Sequence, residues 1–281
     1  MDTETITFVG GGNMARSLIG GLVGQSVAAE QIRVLDPDPE AAARIEDRWG
    51  VAVTSEPAEA LADTGTVVLA VKPQVVPTAI AAIREHLPDT RPLIISVAAG
   101  TTTTTLAGLL GHPLPIIRAM PNTPALLGCG ATALFAASGV NAREKERAEH
   151  ILRAAGLVVW VDDEAQMDAV TAVSGSGPAY FFYLMEHLLA GAVAEGLPAE
   201  TARLLIMETA LGAARMALES DDDMATLRQR VTSPGGTTEA AVKSLQSDGF
   251  GTAISRAVAA AADRSRTLAA DLSPTEEYRK Q

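Results

Sequence analysis

The feature that most constrains the fold is a glycine-rich turn near the start of the chain. A short β-branched run at residues 5–9 is followed at once by GGGNMA at residues 10–15, and then by a helical pattern. This is G-x-G-x-x-A after a strand and at the start of a helix, the context in which it binds a dinucleotide. Gly10 would make the tight turn, Gly12 would admit a pyrophosphate, and Ala15 would allow close packing. The turn predicts a Rossmann-type, doubly wound α/β sheet.

An acidic residue follows the second predicted strand, at residues 31–35. Asp36 stands where a dinucleotide fold places the residue that meets the adenosine ribose. A carboxylate there accepts hydrogen bonds from both ribose hydroxyls and repels a 2′-phosphate, so it favours NADH over NADPH. The alternative is a turn-forming role, because residues 36–39 read Asp-Pro-Asp-Pro.

Three further predicted strands end in residues suited to a ligand site. The run at 66–71 is continuously apolar, as in a buried parallel strand, and the strands at 91–97 and 116–120 follow. Ligands of open parallel sheets lie beyond the carboxyl ends of the strands. The residues expected to bind the cofactor are Gly10, Gly12, Asn13, Met14, Ala15, Asp36, Ala70, Val71, Lys72, Pro73, Ala98 and Asn122.

The character of the chain changes after residue 162, where strand runs stop and helical periodicity begins. We predict a dinucleotide-binding domain at residues 1–162 and an all-α dimerisation and substrate domain at residues 163–281. A helix over 165–173 is expected to break at 174–178, and Pro198 is expected in the first turn of a later helix. The stretch 169–189 is apolar on more than one face, which predicts an interlocked dimer.

A second candidate site lies late in the chain, where residues 232–238 read TSPGGTT. Pro234 fixes its own φ, and Gly235 and Gly236 leave room for a ligand against the main chain. Thr237 or Thr238 then begins a helical pattern, whose unpaired N–H groups favour an anion. The stretch therefore reads either as a small carboxylate-binding loop with a hydroxyl beside it, or as a simple helix–helix loop with a threonine cap.

Composition excludes several classes of protein. Hydrophobic residues make up 47% and charged residues 20%, which predicts a packed globular protein, and a net charge of −12 argues against nucleic acid or anionic membrane as partners. The four histidines lack metal-ligand spacing, so no metal site is expected. Cys129 is expected to be a small buried hydrophobe. We see no secretory signal or membrane span, so a soluble cytoplasmic protein is expected.

The motifs together resemble one enzyme family, pyrroline-5-carboxylate reductase, over nearly the whole length of the chain. They are GGGNMA at 10–15, AVKP at 70–73, SVAAG at 96–100, RAMPNTPA at 118–125, VSGSGPAY at 173–180 and SPGGTT at 233–238. The resemblance implies hydride transfer from NADPH or NADH to C5 of 1-pyrroline-5-carboxylate, giving L-proline in the last step of proline biosynthesis. It also implies a homodimer, which in many members assembles into a larger ring such as a decamer.

The resemblance assigns roles to the late loop. The loop at 233–238 would hold the substrate carboxylate through backbone N–H groups and Ser233, and the hydroxyl of Thr238 would lie near the ring nitrogen. Two protomers together would form the site. The residues expected to bind substrate are Ser174, Ser233, Gly235, Gly236, Thr237 and Thr238, with Thr238 as the catalytic residue.

The sequence departs from the family at the cofactor site, and two other functions stay open. Many relatives have Ser or Thr in place of Asp36 and Asn near Pro57, which again points away from NADPH. One alternative is a β-hydroxyacid dehydrogenase-like oxidoreductase, in which a helical-domain lysine acts as acid and base. Lys243 would have to serve. The other is a dinucleotide sensor without turnover, which would not need a substrate anchor.

Overall fold

A computed structural model describes residues 4–272 and contains an eight-stranded sheet in the order β3-β2-β1-β4-β5-β6-β7-β8. The strands are β1 Thr5–Val9, β2 Ile32–Leu35, β3 Ala52–Thr54, β4 Thr64–Leu69, β5 Leu93–Ser96, β6 Ile116–Met120, β7 Gly130–Ala136 and β8 Gly156–Trp160. The α-helices are α1 Asn13–Gly24, α2 Pro39–Trp49, α3 Pro57–Ala60, α4 Val76–Ile83, α5 Thr103–Leu110, α6 Ala142–Arg153, α7 Gln166–Val170, α8 Gly177–Ala194, α9 Ala199–Glu219, α10 Met224–Arg230, α11 Thr237–Ser247 and α12 Phe250–Leu272.

Six of the strands form a parallel, doubly wound sheet. β1 pairs with β2 on one side and with β4 on the other, so the strand order reverses at β1. Val9 lies opposite both Leu35 and Leu69, and Leu69 lies opposite Ser96. The carboxyl ends of these strands therefore meet at one edge, beside the reversal point where such folds bind ligands. The predicted Rossmann-type fold is confirmed.

The last two strands extend the sheet in a way the sequence analysis did not specify. β7 pairs antiparallel with β6, and β8 pairs parallel with β7. The link from β6 to β7 holds only a short 3₁₀ segment, Thr123–Leu127, and a parallel neighbour needs a crossover of roughly a dozen residues. The longer link through α6 supplies that crossover for β8.

The core consists of two apolar layers, one on each face of the sheet. Along the central strands successive side chains alternate: Phe8, Val68 and Ile95 belong to one layer, and their neighbours in sequence to the other. α1 and α6 cover the first layer through Leu18 and Ile151. Both faces of the sheet are covered, and five of the six residues of β4 are buried, as expected of a parallel strand between two helical layers.

The predicted helix break at residues 174–178 is confirmed only in part, because the α-helix is interrupted at residues 171–176 and α8 already begins at Gly177. A π-helical turn, Thr171–Gly175, connects α7 to α8, and the N–H of Ser176 donates to the carbonyl of Thr171 at 2.8 Å. The Ser174 hydroxyl donates back to the carbonyl of Val170 at 3.0 Å. Such local bonds absorb the glycines and serines without unwinding the chain, and Pro178 is tolerated because it lies in the first turn of α8.

The chain divides into two compact units. One contains residues up to Ser176 together with those from Ala261, and the other runs from Gly177 to Ala260. The predicted boundary after residue 162 stays a prediction, and residues 1–3 and 273–281 of the predicted domains lie outside the described residues. In the second unit α8 packs on α9. Pro198 is the N-cap of α9 rather than part of its first turn. Among residues 4–272, no helix is long and apolar enough to cross a membrane.

Candidate functional site

The turn between β1 and α1 is held tightly against the ends of two strands. Gly10 has φ +98°, and its N–H donates to the carbonyl of Leu35 at 2.9 Å. A Cβ on Gly10 would lie 2.8 Å from Cγ1 of Val71 and 2.9 Å from the carbonyl oxygen of Ala70. Both the backbone angle and the close approach require glycine here. The predicted role of Gly10 in a tight turn therefore has a definite geometric basis.

The carboxylate of Asp36 holds the same turn from the end of β2. Its Oδ2 accepts a hydrogen bond from the N–H of Gly11 at 2.6 Å, and its Oδ1 accepts one from the N–H of Asp38 at 2.8 Å. Sequence reasoning treated Gly11 as an unassigned position between two functional glycines. The sequence contained a signal for this contact: Gly11 is a third glycine in the turn, and Asp36 is an acid that follows the neighbouring strand.

The N-terminus of α1 is free to receive an anion. Gly12 is the N-cap, and no side-chain hydrogen bond caps it. Nothing lies within 4 Å of the position that a Cβ on Gly12 would occupy. The backbone N–H groups of Asn13, Met14 and Ala15 have no acceptor within the helix, and the helix dipole adds positive potential there. These residues fit a dinucleotide: the N–H groups at the start of α1 would hold its pyrophosphate, and the carboxylate of Asp36 would accept hydrogen bonds from its ribose.

The carboxyl ends of β4 and β5 lie next to this turn. The N–H of Ala70 donates to the carbonyl of Val9 at 2.9 Å, and that of Val97 donates to the carbonyl of Leu69 at 3.1 Å. Ala98 is buried, whereas Lys72 is exposed, and Pro73 opens a 3₁₀ turn beyond it. The structure thus brings the predicted residues Ala70, Val71, Lys72, Pro73 and Ala98 to the edge occupied by the glycine turn.

Asn122 links the end of β6 to the π-helical turn. Its Nδ2 donates to the carbonyl of Ser174 at 3.1 Å, and its Oδ1 accepts from the N–H of Ala131 at 2.9 Å. Its amide oxygen and one of its amide hydrogens are therefore used within the protein. The hydroxyl of Ser174 is also engaged, with Val170. Both residues were predicted to bind ligand, and the structure gives each a local bond that fixes its position.

A buried ion pair that sequence reasoning missed lies near the same edge. Arg118 on β6 is 3% exposed, and its Nη1 is 3.2 Å from Oε1 of Glu164. Glu164 also accepts from the N–H of Thr103 at 2.8 Å and from its hydroxyl at 2.7 Å. The carboxylate therefore joins β6 to the first turn of α5. An arginine inside an otherwise apolar strand was the available signal.

Cys129 is exposed, contrary to expectation. It follows Gly128, which has φ +70° at the end of the 3₁₀ segment Thr123–Leu127, and this turn carries the side chain outward. Its Sγ lies 3.6 Å from the carbonyl of Leu127.

The late loop forms a tight turn at the start of α11, within the second unit. The N–H of Gly236 donates to the carbonyl of Ser233 at 3.0 Å, Pro234 follows Ser233, and Gly235 has φ +70°. These are the marks of a type II turn, which needs glycine at its third position. Gly236 is the N-cap of α11 and has no side-chain cap, so the N–H groups of Thr237 and Thr238 have no acceptor within the helix.

Two charged side chains support this loop from α11. Oε2 of Glu239 accepts from the N–H of Gly235 at 2.7 Å, and Oε1 lies 2.9 Å from Nζ of Lys243. The ammonium of Lys243 foremost, and then the N–H of Gly235, hold the pKa of the Glu239 carboxyl below its usual range. Thr237 and Thr238, the first two residues of α11, are exposed. The loop therefore offers backbone donors and two hydroxyls to a small anion.

Comparison with known proteins identifies the family. The family model for pyrroline-5-carboxylate reductase dimerisation matches residues 164–268, and that for NADP oxidoreductase, coenzyme F420-dependent, matches residues 5–100. The chain is 51% identical to pyrroline-5-carboxylate reductase from Pseudomonas aeruginosa over 272 residues, covering 97% of this chain and 99% of the relative.

Two solved structures of the same family resemble this chain over nearly its whole length. A pyrroline-5-carboxylate reductase from Coxiella burnetii superimposes with a TM-score of 0.91 at 43% identity, covering 98% of this chain and 100% of that one. The Plasmodium falciparum pyrroline carboxylate reductase, solved with NADP bound, gives a TM-score of 0.84 at 28% identity, with 96% and 99% covered. With this identity over nearly its whole length, the chain belongs to the pyrroline-5-carboxylate reductase family.

Proposed function

We propose that the protein reduces 1-pyrroline-5-carboxylate to L-proline with NADPH or NADH as the hydride donor. The observation that carries this proposal is the turn at Ser233–Gly236, which leaves the N–H groups and hydroxyls of Thr237 and Thr238 free at the start of α11. A cyclic imino acid has one carboxylate and one ring nitrogen, and this loop has donors for both. Family membership supports the same reaction.

The residues at the sheet edge hold the cofactor. The nicotinamide supplies a hydride when the cofactor is bound. The N–H groups at the start of α1 neutralise the pyrophosphate, and Gly12 leaves the space that it needs. The carboxylate of Asp36, at the end of β2, is fixed by the backbone N–H groups of Gly11 and Asp38. A fixed negative charge there accepts ribose hydroxyls and repels a 2′-phosphate, so we propose a preference for NADH.

The late loop orients the substrate. The N–H groups of Thr237 and Thr238, with the hydroxyl of Ser233, hold the carboxylate of the imine. The N–H groups of Gly235 and Gly236 are already bonded to Glu239 and Ser233, so the two predicted glycines shape the loop and leave room for the ligand. The hydroxyl of Thr238 hydrogen-bonds the ring nitrogen while it changes from imine to amine. A threonine hydroxyl is a poor acid, so the proton comes from solvent or from a substrate that binds already protonated. Most of the acceleration then comes from holding the reactants in line.

The two other functions have less support. A β-hydroxyacid dehydrogenase would use Lys243 as acid and base, but its ammonium is engaged in an ion pair with Glu239 at 2.9 Å. A sensor without turnover would not need the anion-binding turn. Thermal unfolding separates these candidates, because a bound ligand raises the melting temperature. We expect proline with oxidised cofactor to raise it, and hydroxyacids to leave it unchanged.

The protein is a homo-oligomer, and we propose an interlocked dimer that assembles further into a ring such as a decamer. Large apolar side chains on α8 support this, since Phe181, Phe182 and Tyr183 are each more than 60% exposed, at 63%, 66% and 64%. Large aromatic side chains this exposed on successive positions of one helix are typical of a helix that is covered by a partner. Light scattering measures the size of the assembly.

We also place the enzyme in the cytoplasm, where metabolism supplies reduced nicotinamide.

A further inference from the structure

The chain carries a carboxylate of its own beside the loop that, under the proposed function, binds the substrate carboxylate. Glu239 is the third residue of α11, and its side chain turns back to accept the N–H of Gly235 at 2.7 Å. Gly235 occupies the position of the turn with φ +70°. A charge-assisted hydrogen bond to this N–H holds the peptide plane of Gly235 in one orientation.

The same peptide plane sets the direction of the donors that follow it. Gly236 is bound to Ser233 through its N–H, and its carbonyl accepts the first helical bond from Ala240 at 3.2 Å. With Gly235 fixed as well, the turn and the first turn of the helix form one rigid piece. Glycine is the residue with the most backbone freedom, so the bond from Glu239 restrains the segment most able to move.

Lys243 completes the arrangement one turn further along. Its ammonium lies 2.9 Å from Oε1 of Glu239, the oxygen that does not bind Gly235. Both carboxylate oxygens of Glu239 are therefore engaged, and the pair carries no net charge. Without Lys243, a negative charge would stand next to the place where the substrate carboxylate binds. Repulsion between the two carboxylates would then weaken binding.

We propose that Glu239 is a positioning residue for the imine substrate. It fixes the peptide of Gly235 so that the amides of the loop face the substrate carboxylate. Lys243 neutralises the negative charge of Glu239. This inference rests on the proposed function. It concerns substrate affinity and orientation, because neither side chain is assigned a contact with the reacting atoms.

Steady-state kinetics of four variants test the proposal. We expect E239A to raise KM for 1-pyrroline-5-carboxylate about tenfold, the scale for loss of one charge-assisted hydrogen bond, with KM for the cofactor unchanged. E239Q keeps an oxygen acceptor for Gly235 and should recover part of this loss. K243Q should raise the same KM by leaving Glu239 uncompensated. The double variant E239Q/K243Q should lie closer to the wild type than K243Q, because the repulsion is gone.

A matched control separates positioning from general stability. Glu200 lies in the first turn of α9, and its carboxylate makes no hydrogen bond or ion pair among the described residues. E200Q should keep wild-type kinetics. If E239A retained the wild-type KM for the imine, or raised both KM values together with a lower melting temperature, the proposal would be overturned.

Hydrogen exchange at Gly235 reports on the loop independently of catalysis. We expect the N–H of Gly235 to exchange faster in E239A than in the wild type, with E239Q between them. Unchanged exchange would overturn the positioning role even if the enzyme were active. Should the wild type fail to reduce the imine while exchange at Gly235 responds to E239A, the proposed function would fail and the restraint of the loop by Glu239 would stand.

Discussion

Asp36 accepts a hydrogen bond from the backbone N–H of Gly11, with 2.6 Å between Oδ2 and the nitrogen. The carboxylate thus joins the end of β2 to the glycine turn between β1 and α1. A Cβ on Gly11 would lie 3.2 Å from this same oxygen. The residue proposed to discriminate between cofactors therefore also shapes the turn proposed to bind them.

Replacing Asp36 should change the choice of cofactor. In D36S the negative charge is gone, so we expect the ratio of kcat/KM for NADH to that for NADPH to fall by at least about tenfold, since opposed like charges cost several kcal/mol. D38N is the matched control, because Asp38 caps α2 through the N–H of Glu40 and is not assigned to the ribose. A ratio unchanged in D36S would remove Asp36 from cofactor selection.

The two functional glycines of the turn should respond differently to alanine. Gly12 has free space around its missing Cβ, so G12A should fold with a wild-type melting temperature but bind either cofactor at least about tenfold more weakly, because the methyl group takes the space of the pyrophosphate. G10A should lower stability as well, because its Cβ would lie 2.8 Å from Val71. Equilibrium titration of the cofactor and thermal unfolding measure the two effects. Equal behaviour of both variants would contradict this account.

Removing the Thr238 hydroxyl should slow the reaction. We expect T238A to lower kcat by about tenfold to a hundredfold, the range for loss of one or two hydrogen bonds that form with the changing ring nitrogen. T238S keeps the hydroxyl and should recover most of the rate. T209A, an exposed threonine on α9, is the control within the same unit. Full activity in T238A would mean that this hydroxyl has no chemical role.

The ion pair between Arg118 and Glu164 should contribute to stability. In E164A the guanidinium of Arg118 stays buried without its partner, which should lower the free energy of unfolding by about 3 kcal/mol. Urea unfolding at neutral pH measures this change. The exposed pair of Arg266 with Asp263 on α12 is the control, and D263N should change stability by less than about 0.5 kcal/mol. An equally small loss of unfolding free energy in E164A would show that the buried ion pair does not stabilise the fold.

Acid should weaken one specific contact. The indole N–H of Trp160 donates to Glu149 at 3.0 Å and, with Arg153, lowers the pKa of that carboxyl. A carboxyl group whose pKa is lower in the folded chain than in the unfolded chain stabilises the folded chain. The full contribution is present above the unfolded pKa, about 4.3, and it is lost as the pH falls through the folded pKa.

The melting temperature of E149Q relative to the wild type tests this contact. E149Q should melt below the wild type at neutral pH, and the gap should close on acidification below about pH 4. E146Q, at an exposed position on the same helix, is the control variant. A gap that stays constant with pH would exclude the charge of Glu149 as its cause.

Local pattern was enough to predict the parallel part of the sheet, because β1 and β4 combine strand composition with the glycine turn and burial on both faces. The link of Glu164 to Arg118 and the π-helical turn Thr171–Gly175 were not predicted. The first joins residues that are distant in sequence, and the second depends on a single extra residue in a helical turn. Neither feature leaves a periodic signal in the sequence. The antiparallel β7 was within reach, since its connection from β6 is too short for a crossover.

The loop at Ser233–Thr238 was recognised as a ligand site from its residue types, but its geometry was not. Pro234 and Gly235 predict a turn, and the structure gives it through the bond from Gly236 to Ser233. The contacts of Glu239 escaped notice because a glutamate in a first helical turn ordinarily serves the helix dipole. Lys243 was considered as a candidate acid and base, whereas its ammonium forms an ion pair with Glu239.

The most direct measurement is steady-state oxidation of NADH and NADPH, side by side, with 1-pyrroline-5-carboxylate as the acceptor and proline measured as the product. We predict imine-dependent turnover with at least one cofactor, one proline formed per cofactor oxidised, and a higher kcat/KM with NADH. A folded protein that binds either nucleotide but forms no proline would contradict the proposed function.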